Sequence, residues 1–140
     1  MATETKPQHL EKQSPKIEIF ISHSSQDTKV AEALVELLRN ALDIPAAKIR
    51  CTSVDGYKLE IGTQTDEQLR KEIYDSIAFI GLITQSSIQS AYVLFELGAR
   101  WGGHLHLSPV LAAGAGPSLL RGPLSGLNAL SCDNPAELHP

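Results

Sequence analysis

The chain is predicted to fold as an α/β domain, a doubly wound parallel sheet of five strands with helices on both faces. Short runs rich in β-branched and aromatic residues alternate with longer segments whose apolar residues recur at helical spacing. One of those runs, residues 77–83, is apolar on both alternating faces, as a central strand covered on each side should be. At 140 residues the chain has enough length for one real core and no room for a second.

The elements follow in order. Ile17, Glu18, Ile19, Phe20 and Ile21 form the first strand, bounded by the polar residues 22–25. Val30, Ala33, Leu34, Leu37, Leu38, Ala41 and Leu42 then mark an amphipathic helix, with N-cap candidates in residues 24–27 and Pro45 as its stop. Residues 48–54 read as a second strand and residues 55–63 as a loop whose glycines, Gly56 and Gly62, mark turns. A polar helix is expected over residues 64–76, with Leu69 and Ile73 inward. Residues 77–83 form the third strand, residues 84–90 a loop, and a helix carrying Glu96 ends near Trp101, Gly102 and Gly103. A fourth strand is expected over 105–111 and a short fifth over 129–132. Asn134, Pro135, Ala136 and Glu137 look like a helix start that is cut off, so residues 16–140 read as a domain excised from a longer chain, preceded by a disordered polar segment over 1–15. This order suggests flavodoxin-like winding with right-handed crossovers, in which ligands bind outside the carboxyl ends of the strands.

Composition narrows the function classes. The net charge of −4 and the lack of any Lys/Arg cluster argue against nucleic acid or an anionic membrane as a direct partner. No apolar run is long enough to cross a bilayer and residues 1–16 lack the apolar core of a signal peptide, so a cytoplasmic location is expected. Cys51 and Cys132 lie beside apolar residues without metal-type spacing and read as buried thiols. His104 and His106 alternate as on a strand without a third ligand, so no metal is expected. There is no Gly-x-x-x-x-Gly-Lys phosphate loop, no Gly-x-Ser-x-Gly elbow and no Gly-x-Gly-x-x-Gly after the first strand.

Glu96 stands out, because it is one carboxylate inside the apolar stretch Ser90, Ala91, Tyr92, Val93, Leu94, Phe95, Glu96, Leu97. Such a group loses hydration and needs either a buried partner or a task. The simplest partner is Arg100, four residues on along the same helical face. The two readings are compatible, since a cation would keep the carboxyl ionised where burial raises its pKa.

Three segments together resemble the Toll/interleukin receptor (TIR) domains, particularly their bacterial members. Phe20, Ile21, Ser22, His23, Ser24, Ser25, Gln26 and Asp27 look like the first box of that family. Residues 55–62 look like its BB loop, between second strand and second helix. Residues 90–97 resemble Ser-x-Trp-Cys-x-x-Glu-Leu, with Tyr92 in place of Trp and Val93 in place of Cys. The resemblance covers nearly the whole chain from Lys16 onward.

What the resemblance implies is an NAD⁺ glycohydrolase or ADP-ribosyl cyclase with Glu96 as its catalytic residue, NAD⁺ being the substrate and no cofactor being required. His23, Ser24, Asp55, Lys58 and Tyr92 are then candidate substrate-binding residues. The alternatives are an N-cap for Ser24, a solvent-exposed imidazole for His23 and a mobile solvated loop for Asp55 and Lys58. Trp101 is expected to pack at a helix end. The resemblance further implies self-association through TIR domains and the BB loop, and a role in bacterial antiphage defence. A non-catalytic TIR scaffold is the main alternative. A nucleoside deoxyribosyltransferase-like enzyme, whose glutamate would form a covalent intermediate, is more remote.

Overall fold

The computed structural model describes residues 16–54, 56–58 and 65–133. The expected polar segment 1–15, Asp55 and the helix start at 134–137 lie outside the described residues. Five strands, β1 (Ile19–Ser22), β2 (Ile49–Arg50), β3 (Ala78–Ile83), β4 (Ser108–Leu111) and β5 (Leu130–Ser131), form one sheet in the order β2-β1-β3-β4-β5. Every pairing is parallel, as the alternating pattern predicts, and β3 is the middle strand. The helices are α1 (Thr28–Leu42), α2 (Thr65–Asp75) and α3 (Ala91–Gly102).

Strand alternation divides the core into two layers. Ile19, Ile21, Ile49, Leu82 and Val110 pack on one face with Ala31, Leu34 and Val35 of α1. Phe20, Phe79, Ile83 and Leu111 pack on the other with Val93 and Leu97 of α3, and Leu69 and Ile73 of α2 join them. Phe20 and Phe79 stack at 5.1 Å between ring centroids on this second face. Gly81 sits in the same row of β3. A Cβ there would lie 2.6 Å from Leu97 Cδ2, so the missing side chain leaves the room that Leu97 of α3 fills against the sheet.

Three expected boundaries shift, each for a physical reason. Helix α1 ends before Pro45, because Asp43 turns left-handed (φ 51°) and donates its N–H to Arg39 O. Strand β2 is two residues rather than seven. After Arg50 the chain curls into turns, with Cys51 N bonding Tyr57 O, Val54 N bonding Cys51 O and Tyr57 N bonding Val54 O. Cys51 and Val54 remain buried, which is why their apolar character imitates a longer strand. Strand β4 starts at Ser108 rather than 105, because the chain there is spent on other bonds: Leu105 N reaches back to Arg100 O and His106 O accepts from the Arg100 guanidinium.

Candidate functional site

Helix α3 presents the carboxylate that the sequence singles out. Ser90, extended at φ −84° and ψ 118°, caps the helix by accepting from Val93 N. The serine of the motif therefore starts the helix and fixes the turn on which Glu96 stands. Glu96 is half-buried beside a groove of about 450 Å³ between α2 and α3. Leu69, Ile73, Ala91 and Ala99 supply aliphatic lining, Tyr92 and Phe95 aromatic lining, and the exposed Asp66 and Arg70 the charged edge. Tyr92 and Phe95 are 79% and 81% exposed, an unusual state for two aromatic rings on one helix and one that leaves their faces available to a ligand.

Ser22, the last residue of β1, shares the face of Phe20 and so points toward α3. Its hydroxyl is buried and makes no hydrogen bond of ordinary geometry among the described residues. It lies close enough to Glu96 to favour the ionised carboxyl, against the stronger effect of burial, which raises the Glu96 pKa above its ordinary value. A buried hydroxyl that leans on a desolvated carboxylate without a well-formed hydrogen bond is an arrangement that a ligand hydroxyl could complete.

The expected Glu96–Arg100 pair does not form. Among the described residues the side-chain ion pairs are Lys48 with Glu18 and Arg50 with Glu72. Arg100 is instead buried to 1% exposure with its guanidinium committed to main-chain carbonyls. Nη1 donates to Ile73 O (3.1 Å), Tyr74 O (3.4 Å) and Ser76 O (3.0 Å), while Nε and Nη2 both donate to His106 O. Those carbonyls at the end of α2 carry the negative end of its dipole and lack helical partners. The Arg100 guanidinium also lies 5.3 Å from the Phe79 ring centroid. Arg100 thus clamps the end of α2 to α3 and sets the spacing of the groove, leaving Glu96 without a cationic partner among the described residues.

His23 points to the opposite side of β1. Its Nδ1 donates to Ile21 O (3.0 Å), which leaves Nε2 to accept from Ser53 Oγ (2.5 Å). Cys51 Sγ lies 3.7 Å from Nδ1. Burial lowers the His23 pKa, with Ile21 O and Asp27 acting the other way. Burial also pushes the Cys51 thiol up to about 12, as an inert buried thiol requires; Cys132 is only half-buried. Ser24 accepts from Gln26 N and caps a short 3₁₀ turn, so its side chain takes the capping role. Lys58 is exposed and its carbonyl accepts from Arg50; Asp55 lies outside the described residues. Trp101, expected to pack, is 53% exposed. The structure therefore brings Tyr92 to the groove with Glu96, and sets His23 on the α1 side of the strand.

Sequence reasoning missed Ser22 as the neighbour of Glu96, and Phe95 as the second aromatic wall. The signals were present: Ser22 follows Phe20 by two along a strand, and Phe95 follows Tyr92 by three along a helix. The acidic residue of the first box, Asp27, is buried and accepts from Thr84 Oγ1. Thr84 and Ser87 bond each other reciprocally, so the loops after β1 and β3 are joined above the point where the strand order reverses.

The TIR domain family profile matches residues 19–138. The chain is also 28% identical over 125 residues to the uncharacterized protein YddK of Bacillus subtilis (strain 168), a match covering 86% of this chain and 45% of that relative. It thus spans less than half the length of that relative. The profile match runs from the first residue of β1 past the last residue of β5, spanning the whole sheet rather than one motif, and the chain belongs to the TIR domain family.

Proposed function

We propose that this domain cleaves the nicotinamide–ribose bond of NAD⁺, with Glu96 as the catalytic carboxylate. The observation that carries the reading is a half-buried carboxylate with no cationic partner among the described residues, beside an apolar, aromatic-edged groove and the buried Ser22 hydroxyl. A pyridinium ring bound by Tyr92 supplies the missing positive charge and returns Glu96 to the ionised form.

The chemistry asks little beyond this. Nicotinamide leaves as a neutral molecule, so no general acid has to protonate the leaving group. As the C–N bond lengthens, the electron pair departs with nicotinamide and positive charge develops on the ribose. Glu96 stabilises that oxocarbenium-like state electrostatically and holds the ribose hydroxyls, with Ser22 as a second polar contact. Capture by water gives ADP-ribose and a proton; capture by a nitrogen of the adenine gives a cyclic isomer. Self-association through the TIR domain and its BB loop is expected to control the rate, in a bacterial antiphage response that depletes NAD⁺ or makes a signal from it.

The test is nicotinamide release from NAD⁺ across a wide range of protein concentration, comparing the native chain with Glu96→Gln. Release that rises faster than linearly with protein and vanishes in Glu96→Gln is expected. Equal release from both proteins refutes the role of Glu96, and none from the native chain, even crowded, favours the scaffold reading.

A further inference from the structure

Arg50 occupies a place that the groove alone does not explain. It ends β2, with its side chain 13% exposed, and makes a bidentate pair with Glu72 of α2: Nε to Oε2 at 2.7 Å and Nη2 to Oε1 at 2.8 Å. Glu72 is 5% exposed and takes a further bond from Gln68 Nε2 at 2.9 Å. The remaining arm of the guanidinium, Nη1, turns the other way and donates to Lys58 O (2.5 Å) and Tyr57 O (3.4 Å). Tyr57 O also accepts from Cys51 N, so the same carbonyl closes the base of the loop. One planar cation therefore holds two loop carbonyls and a helix carboxylate, a task that suits a rigid five-donor fork and that an ammonium cannot reproduce.

The helix it holds is also a wall of the Glu96 groove. Leu69, Arg70 and Ile73 of α2 line that groove, and Glu72 is one residue from Ile73. We infer that Arg50 is a positioning residue that ties the turn at Tyr57 and Lys58, after β2, to the α2 wall of the active-site groove, so that this turn and the groove wall take up their arrangement together. The inference rests on the reading of the groove as the active site. Arg50 lies outside the groove lining, so its effect is transmitted through the helix and the loop rather than through contact with substrate.

A tether of this kind acts on binding. Loosening it blurs the groove wall and the loop while leaving Ser22, Glu96 and the start of α3 in place, so KM for NAD⁺ rises several-fold and kcat stays within about two-fold. Arg50→Lys keeps the charge and removes the fork. Glu72→Gln keeps the shape and removes the charge, and is the milder variant should Arg50→Lys fold poorly. Hydrogen exchange, which needs no substrate, is expected to quicken in both variants at the Cys51 and Tyr57 amides and at the end of α2 together. The double variant is expected to be no worse than Arg50→Lys alone, because both changes cut one connection.

Three results overturn the inference. One is quickened exchange in the loop with α2 unchanged; another is additive effects in the double variant. The third is a fall in kcat at constant KM, which marks a smaller folded fraction rather than a misplaced wall. If the native chain releases no nicotinamide, the catalytic reading fails by itself, and the exchange pattern still decides whether Arg50 couples loop and helix.

Discussion

Replacing Arg100 by methionine removes the guanidinium but keeps much of the stem volume. Carbonyls of Ile73, Ser76 and His106 lie within 3.1 Å of its nitrogens, and all three lose a charge-assisted donor. Each buried carbonyl left unsatisfied costs about 1 kcal/mol or more, and the lost contact with Phe79 adds roughly another 1 kcal/mol. Relief from burying an unpaired charge acts in the opposite direction, and water entering the space recovers part of the loss. The net expectation is a loss of about 3 kcal/mol, or a fall of roughly 10 °C in Tm for a chain of this size. Urea unfolding followed by far-ultraviolet circular dichroism measures it. Arg100→Lys keeps the charge but reaches fewer of those carbonyls, and is expected to recover about half of the loss. A methionine variant within about 0.5 kcal/mol of the native chain would refute the clamp. A lysine variant indistinguishable from it would show that charge, rather than the fork, is what the site needs.

Glu96→Gln is expected to raise Tm at neutral pH. The folded-state pKa of Glu96 is raised, so its contribution to stability is fully present below the unfolded value near 4.5 and is lost as pH rises through the folded value. The gain from glutamine should therefore shrink as pH is lowered toward 4.5, which melts at several pH values read directly. Ser22→Ala is expected to move the acid limb of nicotinamide release to higher pH, because the Ser22 hydroxyl favours the charged carboxyl; an unmoved pH profile refutes that. Gly81→Ala places a Cβ against Leu97 and is expected to cost about 1–3 kcal/mol in urea unfolding. A neutral result would mean that α3 has slack against the sheet.

Much of this was legible because the signals are periodic. The five alternating strands, helices on both faces of the sheet and the Glu96 helix all follow from spacing, and the first and third motif segments lie at the carboxyl ends of β1 and β3. What was not legible depends on competition for partners. The i, i+4 spacing of Glu96 and Arg100 predicts an ion pair, but spacing along one helix carries no information about the carbonyls that α2 and the start of β4 bring to Arg100. The length of β2 was overestimated for a related reason: Cys51 and Val54 are buried by the turns they close, and burial alone does not distinguish a turn from a ladder. His23 and Ser24 follow Ser22 directly, yet the pleat directs His23 away from Glu96 and the 3₁₀ turn occupies the Ser24 hydroxyl.

Because Ser22 and His23 project to opposite sides of one strand, the sheet insulates two chemical settings that are neighbours in sequence. Replacements at His23, Ser53 and Thr28, which hydrogen-bond as a chain on the α1 side, act first on the start of the β2–α2 loop and reach the groove beside Glu96 indirectly, through the Arg50–Glu72 link. Conversely, a substitution at Ser22 reaches the carboxylate and leaves the histidine network intact. One strand end thus presents two distinct chemical settings, separated by a single peptide unit.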